Sequence, residues 1–143
     1  MRTTSRLSVL VWYWGPLAVY AGAIFVLSSM PHPPVPALPI SYADKLLHAL
    51  EYSGLGCLLC RALALGGRGF SGRTAVAATI GLGALYGASD ELHQLFVPAR
   101  SADVLDWVAD VIGASAGAVL YHRARLRPVG ASAPQSAAGR APH

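Results

Sequence analysis

The stretch "SDELHQLFVPARSADVLDWVAD", residues 89–110, decides how this chain must fold. It holds five of the seven acidic residues and one of the five histidines of the chain, and apolar segments lie on both sides of it. Carboxylates are costly to place in apolar surroundings unless they are paired or hydrogen-bonded. The stretch therefore requires a fold that collects these groups and shields them.

The composition indicates an integral membrane protein. Hydrophobic residues make up 54% of the 143 residues and charged residues only 13%, with a mean hydropathy of +0.46. A soluble domain carries about 25% charged residues. The net charge is +4, but the basic residues flank apolar segments. They therefore indicate membrane topology, with the lipid bilayer and no nucleic acid as partner.

Four segments are apolar and long enough to cross a bilayer as helices, which takes about 20 residues. They cover roughly residues 8–29, 44–65, 74–97 and 103–122. The sequence thus predicts an all-α integral membrane bundle of four transmembrane helices, in a domain of residues 1–127. Residues 128–143 are small, polar and proline-bearing, which predicts a disordered cytoplasmic tail.

The distribution of basic residues predicts the orientation of the bundle. With both termini in the cytoplasm, all eleven basic residues except Lys45 and Arg100 lie on the cytoplasmic side. Cytoplasmic segments of membrane proteins are enriched in lysine and arginine. We therefore expect a multi-pass protein of the cell membrane with both termini in the cytoplasm.

In this orientation the acidic residues lie in the outer halves of the last three helices. Asp103, Asp106 and Asp110 follow i, i+3 and i+7, which places them on one helical face. An ionised aspartate costs about 2.5–3.5 kcal/mol at the centre of a membrane helix, so we expect such faces to meet around a polar pocket open to the outside. The predicted pocket residues are Asp44, Lys45, His48, Glu51, Tyr52, Asp90, Glu91, His93, Gln94, Arg100, Asp106 and Asp110.

Some of the charged residues have a structural interpretation. Asp44 and Asp103 each open a predicted helix, where an aspartate caps free N–H groups and meets the positive end of the helix dipole. We expect Lys45 to extend toward the outer headgroups.

Glycines in the last two helices are predicted to allow close helix contacts. Gly113 and Gly117 form a small-x-x-x-small pair, which lets helix backbones approach each other. Gly81, Gly83 and Gly87 are candidates for the same role on the third helix.

Four stretches carry a family resemblance: "IFVLSSMP" (24–31), "DKLLHALEYSGLG" (44–56), "SDELHQLFVPAR" (89–100) and "DVLDWVADVIGASAG" (103–117). In this order and spacing the chain resembles the VanZ-like family, named after an accessory protein of teicoplanin resistance. The resemblance implies a membrane protein with a role in glycopeptide resistance, and it implies no particular reaction. Asp110 stands where the family often has asparagine, which implies a more acidic pocket here.

The leading hypothesis is a pocket that binds or acts on a headgroup. The ligand would be a membrane lipid or a lipid-linked cell-wall precursor, with Arg100 at the outer rim contacting phosphate. A transporter or channel is disfavoured because the inner halves of the predicted helices are apolar.

Two alternatives stay open. In one, the protein is a metal-dependent hydrolase or transferase, with His48, His93, Asp90 and Asp106 as candidate ligands of a divalent ion such as Zn²⁺. Their spacing matches no zinc-hydrolase motif, so no cofactor is assigned and enzyme activity is left open. In the other, the polar residues only form a latch between helices.

Overall fold

The computed structural model describes residues 6–34, 42–67 and 69–125, and four helices make up the regular secondary structure of these ranges. They are α1 (Arg6–Ser28), α2 (Ala43–Leu65), α3 (Gly72–Gln94) and α4 (Val104–Arg125). The prediction of an all-α bundle is thus confirmed. The tail predicted for residues 128–143 lies outside the described residues.

Helix α1 runs through a proline without breaking. Its first part contains a π-helical turn, Leu10–Trp14, after which the Gly15 N–H bonds to the carbonyl of Leu10. Pro16 follows and has no N–H to donate, so one backbone hydrogen bond of the helix is missing at this point. The wider π-helical turn lies directly before this missing bond. The helix contacts its neighbours along its length, from Trp14, whose indole N–H donates to the carbonyl of Gly66 at 2.8 Å, to Ser28, which accepts from Gln94.

The two acidic residues predicted to cap helices behave differently. Asp103 accepts the N–H of Leu105 on Oδ1 at 2.8 Å just before α4, so its prediction is confirmed. Helix α2 instead follows Tyr42, which has a φ of 65° and makes no side-chain cap bond. Asp44 lies inside the first turn, so its capping prediction is wrong, although its charge still meets the helix dipole.

Close contact between α2 and α4 depends on glycine. A Cβ at Gly113 would collide with the carbonyl of Ala49, and one at Gly117 with the carbonyl of Ser53. Both obstacles are backbone atoms, which cannot rotate away. The prediction for this glycine pair is confirmed, and α4 lies directly against the backbone of α2.

The glycines of α3 divide into two kinds. A Cβ at Gly83 would lie 2.8 Å from the Cβ of Ala114, and one at Gly87 would lie 3.0 Å from Oδ2 of Asp110. Both positions therefore pack against α4. A Cβ at Gly81 meets no atom of the described residues within 4 Å, so the expectation of a close contact is wrong for Gly81.

The bundle has an apolar core, but its surface is more apolar and its interior more polar than in a typical soluble protein. Large apolar side chains such as Leu85 (69% exposed), Ile112 (60%) and Leu120 (63%) point outward. The buried polar residues are Ser28, Thr79, Asp90, Glu91, Gln94 and Asp110. Soluble proteins bury apolar residues and expose charged ones, so this distribution indicates apolar surroundings.

Two of the four helices, α1 and α4, are long and apolar enough to cross a membrane by length and composition. Helices α2 and α3 have 23 residues each, but neither meets the same combined condition of hydropathy and low charge. Helices α1 and α4, together with the exposed apolar side chains of the bundle, indicate a membrane protein.

The helix ends differ in charge. Helix direction alternates along the chain, so α1 and α3 begin at the end where α2 and α4 finish. We call this end the basic end, because Arg6, Arg61, Arg73, Arg123 and Arg125 lie near it. The opposite, acidic end holds all seven carboxylates with Lys45 and Arg100. The other four basic residues lie outside the described ranges.

Candidate functional site

A cavity of about 430 Å³ opens between α1, α2 and α3 at the acidic end. Its apolar lining comes from Ile24, Leu27, Leu47 and Leu50, with Tyr20, Ser28 and Pro33. Half of the predicted pocket residues also line it, namely Asp44, His48, Glu51, Asp90, Gln94 and Arg100. Apolar walls with a few convergent polar groups are typical of a small-molecule site.

Helix α1 is joined to α3 across this cavity by an amide. Gln94 Nε2 donates to Ser28 Oγ at 3.1 Å and to Asp90 Oδ2 at 3.2 Å. All three residues are buried. Nearby, the Tyr20 hydroxyl donates to the backbone carbonyl of Glu51 at 3.0 Å, which fixes α1 against α2. The cavity wall therefore includes defined polar contacts on all three helices.

A second group of charges lies at the rim and is centred on Lys45. Its Nζ donates to Asp44 at 2.9 Å, to Asp103 at 2.7 Å and to Asp106 at 2.7 Å, and its side chain is 17% exposed. We call these four residues the lysine cluster. The expectation that Lys45 extends to the headgroups is wrong, because three carboxylates hold it in place. The hydrogen bond from Lys45 also lowers the pKa of Asp103, which precedes α4.

A third group is enclosed by α2, α3 and α4 and consists of His48, Glu91 and Asp110, here called the core triad. One ligand atom from each lies within 4.8 Å of the others. His48 Nδ1 is 3.0 Å from Asp110 Oδ1, and Glu91 Oε2 accepts the backbone N–H of Asp103 at 2.7 Å. The side chain of Asp110 has no exposed surface. The triad is thus a buried set of one imidazole and two carboxyl groups.

Several atoms at the triad have no hydrogen-bond partner among the described residues. They are Glu91 Oε1, Asp110 Oδ2 and the hydroxyl of the fully buried Tyr52. A buried polar atom without a partner is destabilising by about 1–3 kcal/mol. Glu91 and Asp110 therefore each keep one carboxylate oxygen available within the triad.

His93 lies elsewhere, at the contact between α3 and the end of α1. Its Nε2 is 3.0 Å from Ser29 Oγ, and its ring centroid is 4.7 Å from that of Phe25. Ser29 Oγ donates to the carbonyl of Phe25 at 2.7 Å, so the His93 N–H is the donor to Ser29. His93 joins two helices and is not a member of the core triad.

The four metal candidates predicted from the sequence are therefore not brought together in the described part of the chain; only His48 belongs to the group with metal-ligand spacing. Asp90 faces the cavity, and Asp106 faces Lys45. Adjacent residues of a helix point about 100° apart. Asp90 and Glu91 consequently face different partners, and it is Glu91 that meets α4.

The contribution of α1 to the site is missing from the sequence prediction. Tyr20, Ile24 and Ser28 follow i, i+4 and i+8, which places them on one face of α1, and all three line the cavity. This spacing is a usable signal. It contains no charged residue, whereas most of the predicted pocket residues are charged.

A family model described as VanZ/LLP1 matches residues 6–126, which is most of the chain. No curated protein and no solved structure shows a significant match.

Proposed function

The chain belongs to the VanZ/LLP1 family, and from this premise we propose that it is a multi-pass membrane protein that binds the headgroup of a lipid or of a lipid-linked cell-wall precursor. The observation that carries the proposal is the cavity of about 430 Å³ with apolar walls and charged groups. An amphiphile presents the same two kinds of surface. The cavity opens at the acidic end, where a headgroup at the membrane surface would reach it.

All four helices cross the membrane in this proposal. Helices α2 and α3 have 23 residues each, which at about 1.5 Å per residue exceeds the hydrocarbon thickness of about 30 Å. Their outward faces carry exposed leucines, including Leu46 and Leu82. Apart from Arg61 and Arg73 at the basic end, their charged residues lie in the lysine cluster, the core triad and the cavity.

The acidic end faces outward in this proposal and the basic end faces the cytoplasm. The support is the excess of arginine at one end of the bundle, since cytoplasmic segments are enriched in basic residues. Both chain termini then belong to the cytoplasmic side.

Cysteine labelling tests this orientation. In a variant with Cys57 and Cys60 replaced by alanine, we expect Ser101→Cys to react with a membrane-impermeant maleimide added to intact cells. Gly69→Cys, at the basic end, should react only after the cells are permeabilised. The reverse pattern would contradict the orientation and place the cavity on the cytoplasmic side.

Different parts of the cavity would contact different parts of the ligand. Arg100 and His48 suit a phosphate or carboxylate group, whereas Glu51 and Asp90 suit an ammonium, hydroxyl or amide donor. The leucines of α1 and α2 would contact the first carbons of the lipid chain. This mixture favours a headgroup that carries both an anion and a hydrogen-bond donor.

Such binding provides a route to glycopeptide resistance. A glycopeptide must reach the exposed part of a cell-wall precursor, and a protein that holds that precursor or its surrounding lipid at the outer face reduces this access. We propose this indirect protection as the cellular role, and it requires no covalent change in the ligand.

Filling the cavity tests the proposal. Leu47 lines the cavity, and we expect Leu47→Trp to occupy the space that the headgroup needs. The purified variant should lose most of the phospholipid or prenyl-linked precursor that mass spectrometry detects with the wild-type protein. Cells that carry it should also become more susceptible to teicoplanin at equal expression.

Leu46→Trp is the matched control, because Leu46 is the neighbouring residue of the same helix, is 46% exposed and does not line the cavity. This variant should keep both the bound amphiphile and the resistance. Equal amphiphile content in the two variants would contradict the cavity as the binding site. If both keep the amphiphile and the resistance, the polar groups serve only to hold the helices together.

A further inference from the structure

The core triad contains carboxylate oxygens that have no hydrogen-bond partner among the described residues. Glu91 is 7% exposed and Asp110 is 0% exposed, and each keeps one carboxylate oxygen without a partner among the described residues. Buried polar atoms in native proteins are nearly always paired with protein, water or an ion. The triad therefore points to a bound group.

Charge distinguishes the candidate groups. Two carboxyl groups lie beside one imidazole, and Lys45 is already held by Asp44, Asp103 and Asp106. A water molecule would supply hydrogen bonds but no positive charge. A cation supplies positive charge and accepts lone pairs from the imidazole and both carboxylates at once. It would therefore give the unpaired oxygens a partner and balance the negative charge.

We propose that His48, Glu91 and Asp110 bind a divalent transition-metal ion such as Zn²⁺ or Mn²⁺. Zn²⁺ binds imidazole nitrogen and carboxylate oxygen at about 2.0–2.2 Å, and Mn²⁺ also accepts carboxylate ligands. The three ligand atoms lie within 4.8 Å of one another, so small side-chain rotations bring them around one ion. This site does not depend on the headgroup-binding function proposed above.

The surroundings of the triad support this assignment. Glu91 Oε2 accepts the N–H of Asp103 at 2.7 Å, and a hydrogen bond of this kind orients a metal-ligating carboxylate. Gly87 places no side chain beside Oδ2 of Asp110, because a Cβ there would lie 3.0 Å from that oxygen. The unpaired oxygens are thus held in place, and the space next to one of them is kept clear.

The position of the ion would connect it to the cavity. Of the three ligands, His48 also lines the cavity, whereas Asp110 is enclosed by protein. Three protein ligands leave a further coordination position for water or for an oxygen of a bound molecule. Because His48 belongs to both the triad and the cavity wall, a phosphate or carboxylate of a ligand in the cavity could complete the coordination of the metal.

Metal content of the purified protein tests the proposal. The full chain is solubilised in detergent, stripped with a chelator and dialysed separately against Zn²⁺, Mn²⁺ and Mg²⁺, and the bound metal is then measured by mass spectrometry. We expect about one Zn²⁺ or Mn²⁺ per chain and little Mg²⁺. Glu91→Gln and His48→Ala should each weaken binding by more than about tenfold, the size of effect seen when even supporting residues of a metal site are lost.

Asp106→Asn is the matched control, because it removes a carboxylate of the lysine cluster and leaves the triad intact. It should bind the same amount of metal as the wild type. Equal binding by the wild type and both triad variants would place the metal elsewhere and overturn the proposal.

Glu91→Gln also guards against a trivial loss of folding. Its amide oxygen can still accept the N–H of Asp103, so the variant should fold, and its melting temperature without metal is measured beside its metal content. Added Zn²⁺ should raise the melting temperature of the wild type only. A metal-free wild type together with a more stable Glu91→Gln variant would show that a proton or water occupies the triad, and would overturn the proposal.

Leu47→Trp should retain the metal, so failure of headgroup binding is distinguishable from failure of the metal site.

Discussion

Gly117→Leu should prevent α2 and α4 from packing together, with a loss of about 3 kcal/mol in the free energy of unfolding. A Cβ at this position collides with the carbonyl of Ser53. A clashing side chain can change its rotamer, but a clash with a helix backbone is relieved only when the whole helix moves away. The variant protein should elute as aggregate in size-exclusion chromatography in detergent, or melt well below the wild type.

Gly81→Leu provides the control. Gly81 is also in the interior of a helix, but a Cβ there has no neighbour within 4 Å in the part of the chain that the structure describes. This variant should keep the wild-type elution profile and should melt at a similar or higher temperature, because leucine has the better helix propensity. Similar melting temperatures for the two leucine variants would mean that α2 and α4 do not approach as closely as described.

Lys45→Glu should have the second large effect. The lysine is the shared partner of Asp44, Asp103 and Asp106, and the substitution leaves four carboxylates side by side. Lys45 and Asp106 are shielded, whereas Asp44 and Asp103 are 62% and 40% exposed. We therefore expect a loss of about 1–3 kcal/mol in the free energy of unfolding, between the values typical of exposed and of buried pairs. Thermal unfolding in detergent at neutral pH measures it.

A charge exchange separates electrostatics from shape. Adding Asp106→Lys to the Lys45→Glu chain restores a cation among the same acidic residues and should recover a large part of the stability. Lys45→Arg should be close to wild type. If the exchanged pair is no more stable than Lys45→Glu alone, the lysine cluster acts through packing and not through charge.

The fold could be predicted from the sequence because it depends on long-range composition. Four apolar stretches separated by loops specify four helices, and the glycine pair of the last stretch indicates a close contact. The ends of helices depend on local geometry and are harder to predict. The third predicted span ran to residue 97, whereas α3 ends at Gln94, since the chain turns ahead of Pro98 and a residue before proline disfavours helix.

The site could be predicted as a region but not as a set of partners. Charge density identified its residues, but the rotation of each helix decides which residue meets which neighbour. Asp90 and Glu91 are adjacent in sequence, yet the first contacts Gln94 near α1 and the second contacts Asp103 before α4. A sequence pattern shows which residues share a face of one helix. It does not show how that helix is rotated about its axis in the bundle, so the contact partners of each face stay undetermined.

The separation of charge between the two ends makes the bundle an electric dipole along its axis. The seven carboxylates and two cations of the acidic end stand opposite five arginines among the described residues. A membrane potential that is negative inside attracts the arginines inward. Moving one elementary charge through 100 mV changes its free energy by about 2.3 kcal/mol. In the proposed orientation an energised membrane thus favours the inserted protein over its inverted form, and depolarisation during insertion removes that preference.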